Sequence, residues 1–302
     1  MFRVIHFSDI HVYHAQAAWR APDWFSKRLT GWVNLKYLPR GKQFRETLFV
    51  LRHLVDDIYA RKPDLLLFSG DATSLGFEEE FALAAETLRV GAPDGPPGIA
   101  VPGNHDYYTH HSVQEGLFEK YFAPWLVGDR IDDHVYPFGR KEGPLYLLGV
   151  NSSQPTRWLW DSSGHVGPLQ LSRLNQLLSR GDVAELPKIL VTHYPIALPC
   201  GRPEKRHRRL KDLPALLEIV RSHGVQLWLH GHRHDAYHLE PTPQQPVPAL
   251  CVGSGTMHGH WTYAEYTFDG NSVRIEYRMF QPRPPRFETV RTVVVPLPVK
   301  PS

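Results

Sequence analysis

Leu65-Leu66-Leu67-Phe68-Ser69-Gly70-Asp71 decides how the rest of this chain is read. Four apolar residues follow Pro63-Asp64, the pattern of a short strand buried on both faces at the centre of a sheet. The run closes on Gly70-Asp71, which puts a carboxylate at the strand's carboxyl end beside a residue that permits tight backbone geometry. Taken alone, Asp after a strand is a turn or helix-cap residue. Four further runs end in the same way, however. They are Ile5-His6-Phe7-Ser8-Asp9-Ile10-His11, Ile99-Ala100-Val101-Pro102-Gly103-Asn104-His105-Asp106, Ile189-Leu190-Val191-Thr192-His193 and Leu227-Trp228-Leu229-His230-Gly231-His232-Arg233-His234. Five strand-like runs that each deliver His, Asp or Asn at the end describe a metal site.

Outward from these runs the chain alternates strand and helix. Phe2–Phe7 reads as the first strand, Gln43–Ala60 as an amphipathic helix and Phe77–Val90 as a second helix with an acidic first turn. Leu145–Asn151, Lys188–Thr192 and Val225–Leu229 read as later strands, with helices over Pro168–Ser179 and Leu213–Ser222 between them. The alternation predicts right-handed crossovers in a layered α/β fold. The end of the chain turns to β structure: Thr262–Phe268 and Ser272–Phe280 flank the turn residues Asp269-Gly270-Asn271, Thr289–Val295 adds a strand, and the last five residues read as a loose end. Residues 13–40 break the pattern, interleaving Tyr13, Trp19, Trp24, Phe25, Trp32 and Tyr37 with Arg20, Lys27, Arg28, Lys36 and Arg40. We expect one domain over residues 1–302, with an insertion at 13–40, a basic loop at 202–211 and a β-rich end at 248–296.

Composition narrows the class. The net charge of +3 gives no argument for nucleic acid as a partner. Two cysteines, Cys200 and Cys251, make no disulfide framework and fit a reduced compartment as core thiols. A strand from Phe2 leaves no room for a signal peptide ahead of the fold, and no run approaches the ~20 apolar residues of a membrane span. The expectation is a cytoplasmic protein.

Asp9, His11, Asp71, Asn104, His193, His232 and His234 offer oxygen and imidazole donors and no thiolate, a set suited to Mn, Fe or Zn. Seven donors are too many for one ion and divide between two if a carboxylate bridges. Two such ions roughly 3.5–4 Å apart generate a hydroxide nucleophile at neutral pH and clamp the oxygens of a phosphoryl group during in-line displacement. The ordered set Asp-x-His, Gly-Asp, Gly-Asn-His-Asp, His and Gly-His-x-His, running from residue 9 to residue 234, resembles the calcineurin-like metallophosphoesterase family. The resemblance implies a four-layer α/β/β/α sandwich with a dinuclear metal site at the strand ends. It implies that Asp9, His11 and His234 hold one ion, that Asn104, His193 and His232 hold the other, and that Asp71 bridges. It further implies that His105 binds the scissile phosphate and protonates the leaving oxygen while Asp106 orients the His105 ring. Among the remaining histidines, His230 is a candidate to bond a ligand from behind, His258 and His260 to reach the site mouth, and His6 and His53 read as structural.

The implied activity is metal-dependent hydrolysis of a phosphodiester or diphosphate, with two divalent or trivalent ions as cofactors. Within that class, a lipid diphosphatase acting on substrates such as UDP-2,3-diacylglucosamine and a cyclic-nucleotide phosphodiesterase both stay open. The aromatic and basic residues of 13–40 read either as a lip for a partly apolar, anionic substrate with peripheral membrane contact, or as a surface excursion packed on the sandwich. Arg202–Lys211 reads either as a basic wall near the site or as a solvated loop. A non-catalytic interaction module on the same fold is the rival from outside the class.

Overall fold

The computed structural model describes residues 1–156, 158, 160–270 and 272–297. Asn271 of the expected hairpin turn and the last five residues lie outside the described residues.

Among the described residues twelve strands form two six-stranded sheets. The first has the order β12-β11-β10-β1-β2-β3, with β1 (Phe2–Phe7), β2 (Leu65–Phe68), β3 (Gly98–Ala100), β10 (Thr262–Asp269), β11 (Ser272–Pro282) and β12 (Pro285–Pro296). The second has the order β4-β5-β6-β7-β9-β8, with β4 (Phe138–Glu142), β5 (Leu145–Gly149), β6 (Lys188–Val191), β7 (Val225–His230), β8 (Ala236–Leu239) and β9 (Ala249–Val252). β1, β2 and β3 run parallel, as do β5, β6, β7 and β9. Parallel strands need crossovers, and the helices that make them cover the outer faces. These are α3 (Thr47–Arg61) and α4 (Glu78–Leu88) on the first sheet, and α7 (Pro168–Leu178) and α9 (Leu213–Ser222) on the second. The short α5 (His110–Gln114), α6 (Leu117–Phe122) and α8 (Gly181–Ala184) fill joints, while α1 (Lys27–Tyr37) and α2 (Pro39–Gln43) belong to the 13–40 segment and its exit.

Side-chain alternation along β5 explains the layering. Leu145 and Leu147 join the core between the two sheets, whereas Tyr146 and Leu148 join the separate core beneath α7 and α9. The inter-sheet core also takes Ile189 and Val191 of β6 and Leu227 and Leu229 of β7, against Val4, Leu65 and Leu67 of the first sheet, while Phe7 and Phe68 turn to Phe122 and Trp125 on its other face. The result is the expected α/β/β/α sandwich. Among the described residues no helix is long and apolar enough to cross a membrane.

The structure departs from the sequence expectations in three places. The first long helix starts at Thr47, not at Gln43, because Pro39–Gln43 forms its own short helix and Phe44 breaks the register. β4, β8 and β9 are additions to the expected strands; two of them are sheet edges, whose burial pattern is weak. Residues 13–40 contain a 3₁₀ turn at Ala21–Phe25 and the eleven-residue α1.

A turn at residues 74–77 joins this segment to the sandwich. From one side Glu80 in the first turn of α4 accepts from Leu75 N at 2.8 Å and Phe77 N at 3.3 Å. From the other, the buried Arg28 donates to Leu75 O at 3.1 Å and to Gly76 O, pairs with Asp23 at 2.6 Å and lies over the Phe77 ring. Glu80 is fully buried, its Oε1 has no hydrogen-bond partner, and burial raises its pKa from 4.5 to about 7 against the two backbone donors. Native protein therefore binds this proton more tightly than unfolded chain, so its contribution to stability falls as pH rises from about 4.5 to about 7. Glu80→Gln keeps an acceptor oxygen and removes the buried charge. The expected result is a variant more stable than wild type at pH 8 by about 3 kcal/mol, at about 1.4 kcal/mol per pKa unit, with the gain gone at pH 4. Denaturant unfolding at the two pH values checks it, and an equal difference at both would contradict the account.

Candidate metal centre and its cavity

The carboxyl ends of the parallel strands of both sheets open on one edge of the sandwich. β1 delivers Asp9 and His11 there, β2 delivers Asp71, and β3 delivers Asn104 and His105. From the second sheet, β6 delivers His193 and β7 delivers His232 and His234. Asp9, His11, Asp71, His232 and His234 all have φ between 42° and 71°, left-handed backbone that costs a side-chain-bearing residue energy. The other described non-glycine residues with positive φ, Lys62 and Arg89, close α3 and α4 in the ordinary way. Strain of this kind is tolerated where the surrounding structure over-determines the conformation. Two glycines make the close approach possible. A Cβ on Gly103 would stand 2.1 Å from Asp71 Oδ1, and one on Gly231 would stand 2.0 Å from Ser8 Oγ and 2.4 Å from Asp9 Oδ2.

Backbone carbonyls fix the tautomers of the ligand candidates. His11 Nδ1 donates to Thr73 O at 3.3 Å and His193 Nδ1 donates to Ser69 O at 2.8 Å. Each Nε2 thereby faces inward, placed to meet a metal ion or a proton. Asp71 Oδ2 lies between them, 3.6 Å from His11 Nε2 and 3.4 Å from His193 Nε2. Around His11 Nε2 stand His234 Nε2 at 3.2 Å and Asp9 Oδ1 at 3.8 Å. Around His193 Nε2 stand His232 Nδ1 at 3.2 Å and Asn104 Oδ1 at 3.3 Å. Asp9 Oδ1 is sealed from solvent without a hydrogen-bond donor, while Oδ2 accepts from His232 N at 2.9 Å. Two groups of lone pairs converging around a shared carboxylate repel one another unless cations sit among them, so the donor set fits two metal ions with Asp71 between. The expected triad Asp9, His11 and His234 forms one of the groups able to hold an ion.

The electrostatics agree with that fit. Burial lowers the pKa of His11 and His232 well below the usual imidazole value, against the pull of Asp71. Burial opposes charge on His193 too, but Asp71 beside it outweighs burial and raises the pKa to about 9, so a proton occupies the place a cation would take. Burial opposes the Asp71 anion, yet His193 and His105 around it hold the carboxyl well below its usual range.

The pair His105 and Asp106 differs from expectation. His105 Nδ1 donates to Ser74 O at 2.7 Å, so Ser74 orients the ring and Asp106 does not. Asp106 accepts from the backbone N–H groups of Asp71, Ala72, Thr73 and Gly103 at 2.8–3.1 Å and ties the Asp71 and Asn104 loops together. Four converging N–H donors are a better match for a buried carboxylate than one imidazole edge. The site-facing His105 Nε2 accepts from Arg40 Nη2 at 2.9 Å, and burial followed by this guanidinium lowers the His105 pKa to about 3. The ring stacks on Tyr108 with centroids 5.0 Å apart.

The remaining histidines separate cleanly. His6 bonds Tyr266 Oη and Ser69 Oγ inside the first sheet, and His53 bonds Phe49 O on α3, both as structural residues. His230 bonds no ligand side chain; its Nδ1 reaches Gly231 O at 3.0 Å. His258 and His260 turn to Glu46 and Asp235 and do not line the cavity, while their neighbour Met257 offers Sδ to His234 Nδ1 at 3.0 Å.

Above the donors lies a cavity of about 490 Å³ lined by Lys27, Thr30, Asn34 and Arg40 from the inserted segment and by His207 and Arg208 from the basic loop. Both segments thus reach the site. The two readings of 13–40 coexist in one structure, since Trp19, Trp32 and Leu35 pack on Leu75, Phe77 and Tyr108 while other residues of the same segment face the cavity. Lys27 Nζ donates to Thr156 Oγ1 at 2.6 Å and Asp161 O at 2.9 Å, tying α1 to the loop that brings the exposed Trp160 to the mouth. Burial lowers the Lys27 pKa to about 8 against the pull of Asp161 and Asp71. Ser69, Thr73 and Ser74 act through main-chain carbonyls, which leave no mark in a sequence, and in the sequence Arg40 is one basic residue among several in its segment.

Two packed mixed sheets with oxygen and imidazole donors on one strand-end edge define a metallophosphoesterase fold. The chain belongs to the calcineurin-like phosphoesterase family, whose profile matches residues 2–236. It is 28% identical over 188 residues to a probable cyclic nucleotide phosphodiesterase of Rhodococcus erythropolis, covering 61% of this chain and 56% of that protein. It is 26% identical over 200 residues to a glycerophosphodiester phosphodiesterase of Enterobacter lignolyticus, covering 62% of this chain and 65% of that protein. The matches therefore span less than two thirds of those relatives' lengths. A dimetal phosphatase from Danio rerio shares the fold, with a TM-score of 0.68 at 14% identity over 98% of both chains.

Proposed function

We propose that this protein is a dinuclear-metal-dependent phosphoesterase that hydrolyses a phosphodiester or diphosphate. The observation that carries the reading is the convergence of inward-facing ring nitrogens and carboxylate oxygens on both sides of Asp71 Oδ2. Asp9, His11 and His234 would hold one ion, Asn104, His193 and His232 the other, and Asp71 both; Mn, Fe and Zn all suit these donors. Ions so placed supply Lewis acidity toward phosphoryl oxygens and a nucleophile at neutral pH.

The chain's own residues supply the rest. Ser74 O holds the His105 ring with Nε2 toward the cavity, where that atom, freed when Arg40 moves onto the substrate, takes up a proton from solvent and hands it to a leaving oxygen. Asp106 keeps the Asp71 and Asn104 loops in register. Lys27 and Arg208 make the cavity cationic, which favours an anionic substrate over a neutral ester. The phosphodiesterase names of the two relatives support a diester over a monoester.

A partly apolar, lipid-linked substrate is the favoured refinement, because Trp24, Phe25, Tyr37, Leu38 and Trp160 are exposed around the insertion and the mouth. The test loads the purified protein with Mn²⁺ and compares hydrolysis of an aryl phosphodiester with that of a UDP-linked diacyl sugar. Turnover of either supports the esterase reading, and preference for the lipid nucleotide supports the refinement. Full metal occupancy without turnover of either would overturn the proposed substrate class and favour a docking role.

A further inference from the structure

Arg40 has surroundings that no structural role explains. Other guanidinium groups near the site have carboxylate partners: the buried Arg28 pairs with Asp23 at 2.6 Å and the partly buried Arg233 with Glu204 at 2.6 Å. Among the described residues Arg40 has no such partner. Its hydrogen-bonding contacts are with two imidazoles, His105 Nε2 at 2.9 Å and His11 Nδ1 at 3.4 Å, and its Nε is sealed from water with no acceptor at all. His11 Nδ1 already donates to Thr73 O, so only His105 truly accepts from the guanidinium.

The charge balance points the same way. Asp9 and Asp71 are the only carboxylates in the donor set, so two divalent ions would leave excess positive charge before Arg40 is counted. A guanidinium brought to that place is repelled unless an anion arrives with the ions. The anion that a planar fork of N–H donors fits best is a phosphoryl or carboxylate group, bound through two parallel hydrogen bonds. Arg40 lines the cavity directly above Asp71, Asn104 and His105, so its reach and that of the ions fall on the same group.

Resting on the esterase reading, we propose that Arg40 grips the non-bridging oxygens of the phosphoryl group, and that His105 Nε2 parks its guanidinium until the substrate takes over. The reaction centre is then completed by the segment that precedes the first long helix.

The experiment compares wild type, Arg40→Ala and Arg40→Lys as Mn-loaded protein, using an aryl phosphodiester for turnover and inorganic phosphate for binding by calorimetry. Metal content and thermal unfolding are expected to match wild type. kcat/KM of Arg40→Ala is expected to fall about a hundredfold or more, the scale of losing one charge-stabilising donor, and phosphate affinity about tenfold. Arg40→Lys restores charge but not the fork and should recover only part. Free guanidinium ion added at millimolar concentration should restore part of the Arg40→Ala activity and leave wild type unchanged, which a purely structural role would not do. Turnover and phosphate affinity of Arg40→Ala within about threefold of wild type would overturn the proposal, as would a loss that tracks lost metal and ignores guanidinium. Should wild type turn over no diester, the esterase reading fails, while the phosphate affinities still decide the role of Arg40.

Discussion

Asp71→Ala protein is expected to bind neither metal ion tightly and to lose hydrolytic activity by about a thousandfold or more. The basis is position: Asp71 Oδ2 is the one oxygen shared by the two donor groups, and Asp71 Oδ1 accepts from His105 N at 2.7 Å. Removing the carboxylate leaves His11 and His193 facing each other across a gap, with Asp9 alone to offset two cations. Several kcal/mol of charge stabilisation go with it, at about 1.4 kcal/mol per factor of ten in rate. The fold should survive, since Asp71 N and Ala72 N still bond Asp106. Metal analysis after reconstitution and a circular-dichroism melt check both halves of the expectation. Two equivalents of metal retained in a folded Asp71→Ala protein would remove Asp71 from the bridging position.

His105→Ala should behave differently. No donor atom of either group is lost, so metal content is expected to stay at the wild-type level. Turnover should fall about a hundredfold to ten-thousandfold, the range for loss of a positioned proton donor. The loss should also depend on the leaving group. An alkoxide needs a proton far more than a p-nitrophenolate does, so an alkyl diester should suffer the larger drop. Equal losses for both would mean that His105 acts only by holding Arg40, and unchanged turnover would remove it from the reaction altogether.

These assignments could be made because the donors are side chains at strand ends, and strands of this kind are marked by apolar runs. β1 lies where the apolar run puts it, Phe2–Phe7, and α9 spans the residues expected from the sequence, Leu213–Ser222. Its apolar stripe and the proline in its first turn are sufficient signals. The inserted segment resists reading for the opposite reason. α1 buries Arg28 and turns Trp32 and Leu35 to a small satellite cluster, while Val33 and Tyr37, which share helical spacing with Leu29, stay exposed, so its apolar stripe does not mark its packed face. The role of Asp106 is hidden because adjacency in sequence suggests a pairing that the chain direction does not make. His105 and Asp106 point to different loops, and what His105 does bond is a main-chain oxygen. Arg40 becomes conspicuous only through what surrounds it, since an arginine without a carboxylate is invisible until the neighbours are placed.

The pairing of β1 with β10 carries a consequence for how the protein comes to exist in a cell. Phe2–His6 lies in register with Ala264–Phe268, and the His6 ring is bonded to Tyr266, 260 residues further on. A ribosome adding roughly 5–20 residues per second takes roughly 10–50 s to cover that span. Through that interval the strand that will present Asp9 and His11 has an open flank, with Val4, Ile5 and Phe7 awaiting cover. Until residue 268 has been made, the nascent chain therefore carries half of its reaction centre on an unfinished sheet. A chaperone that shields that flank, or a slow stretch of message before residue 262, would act on the yield of active protein through this interval.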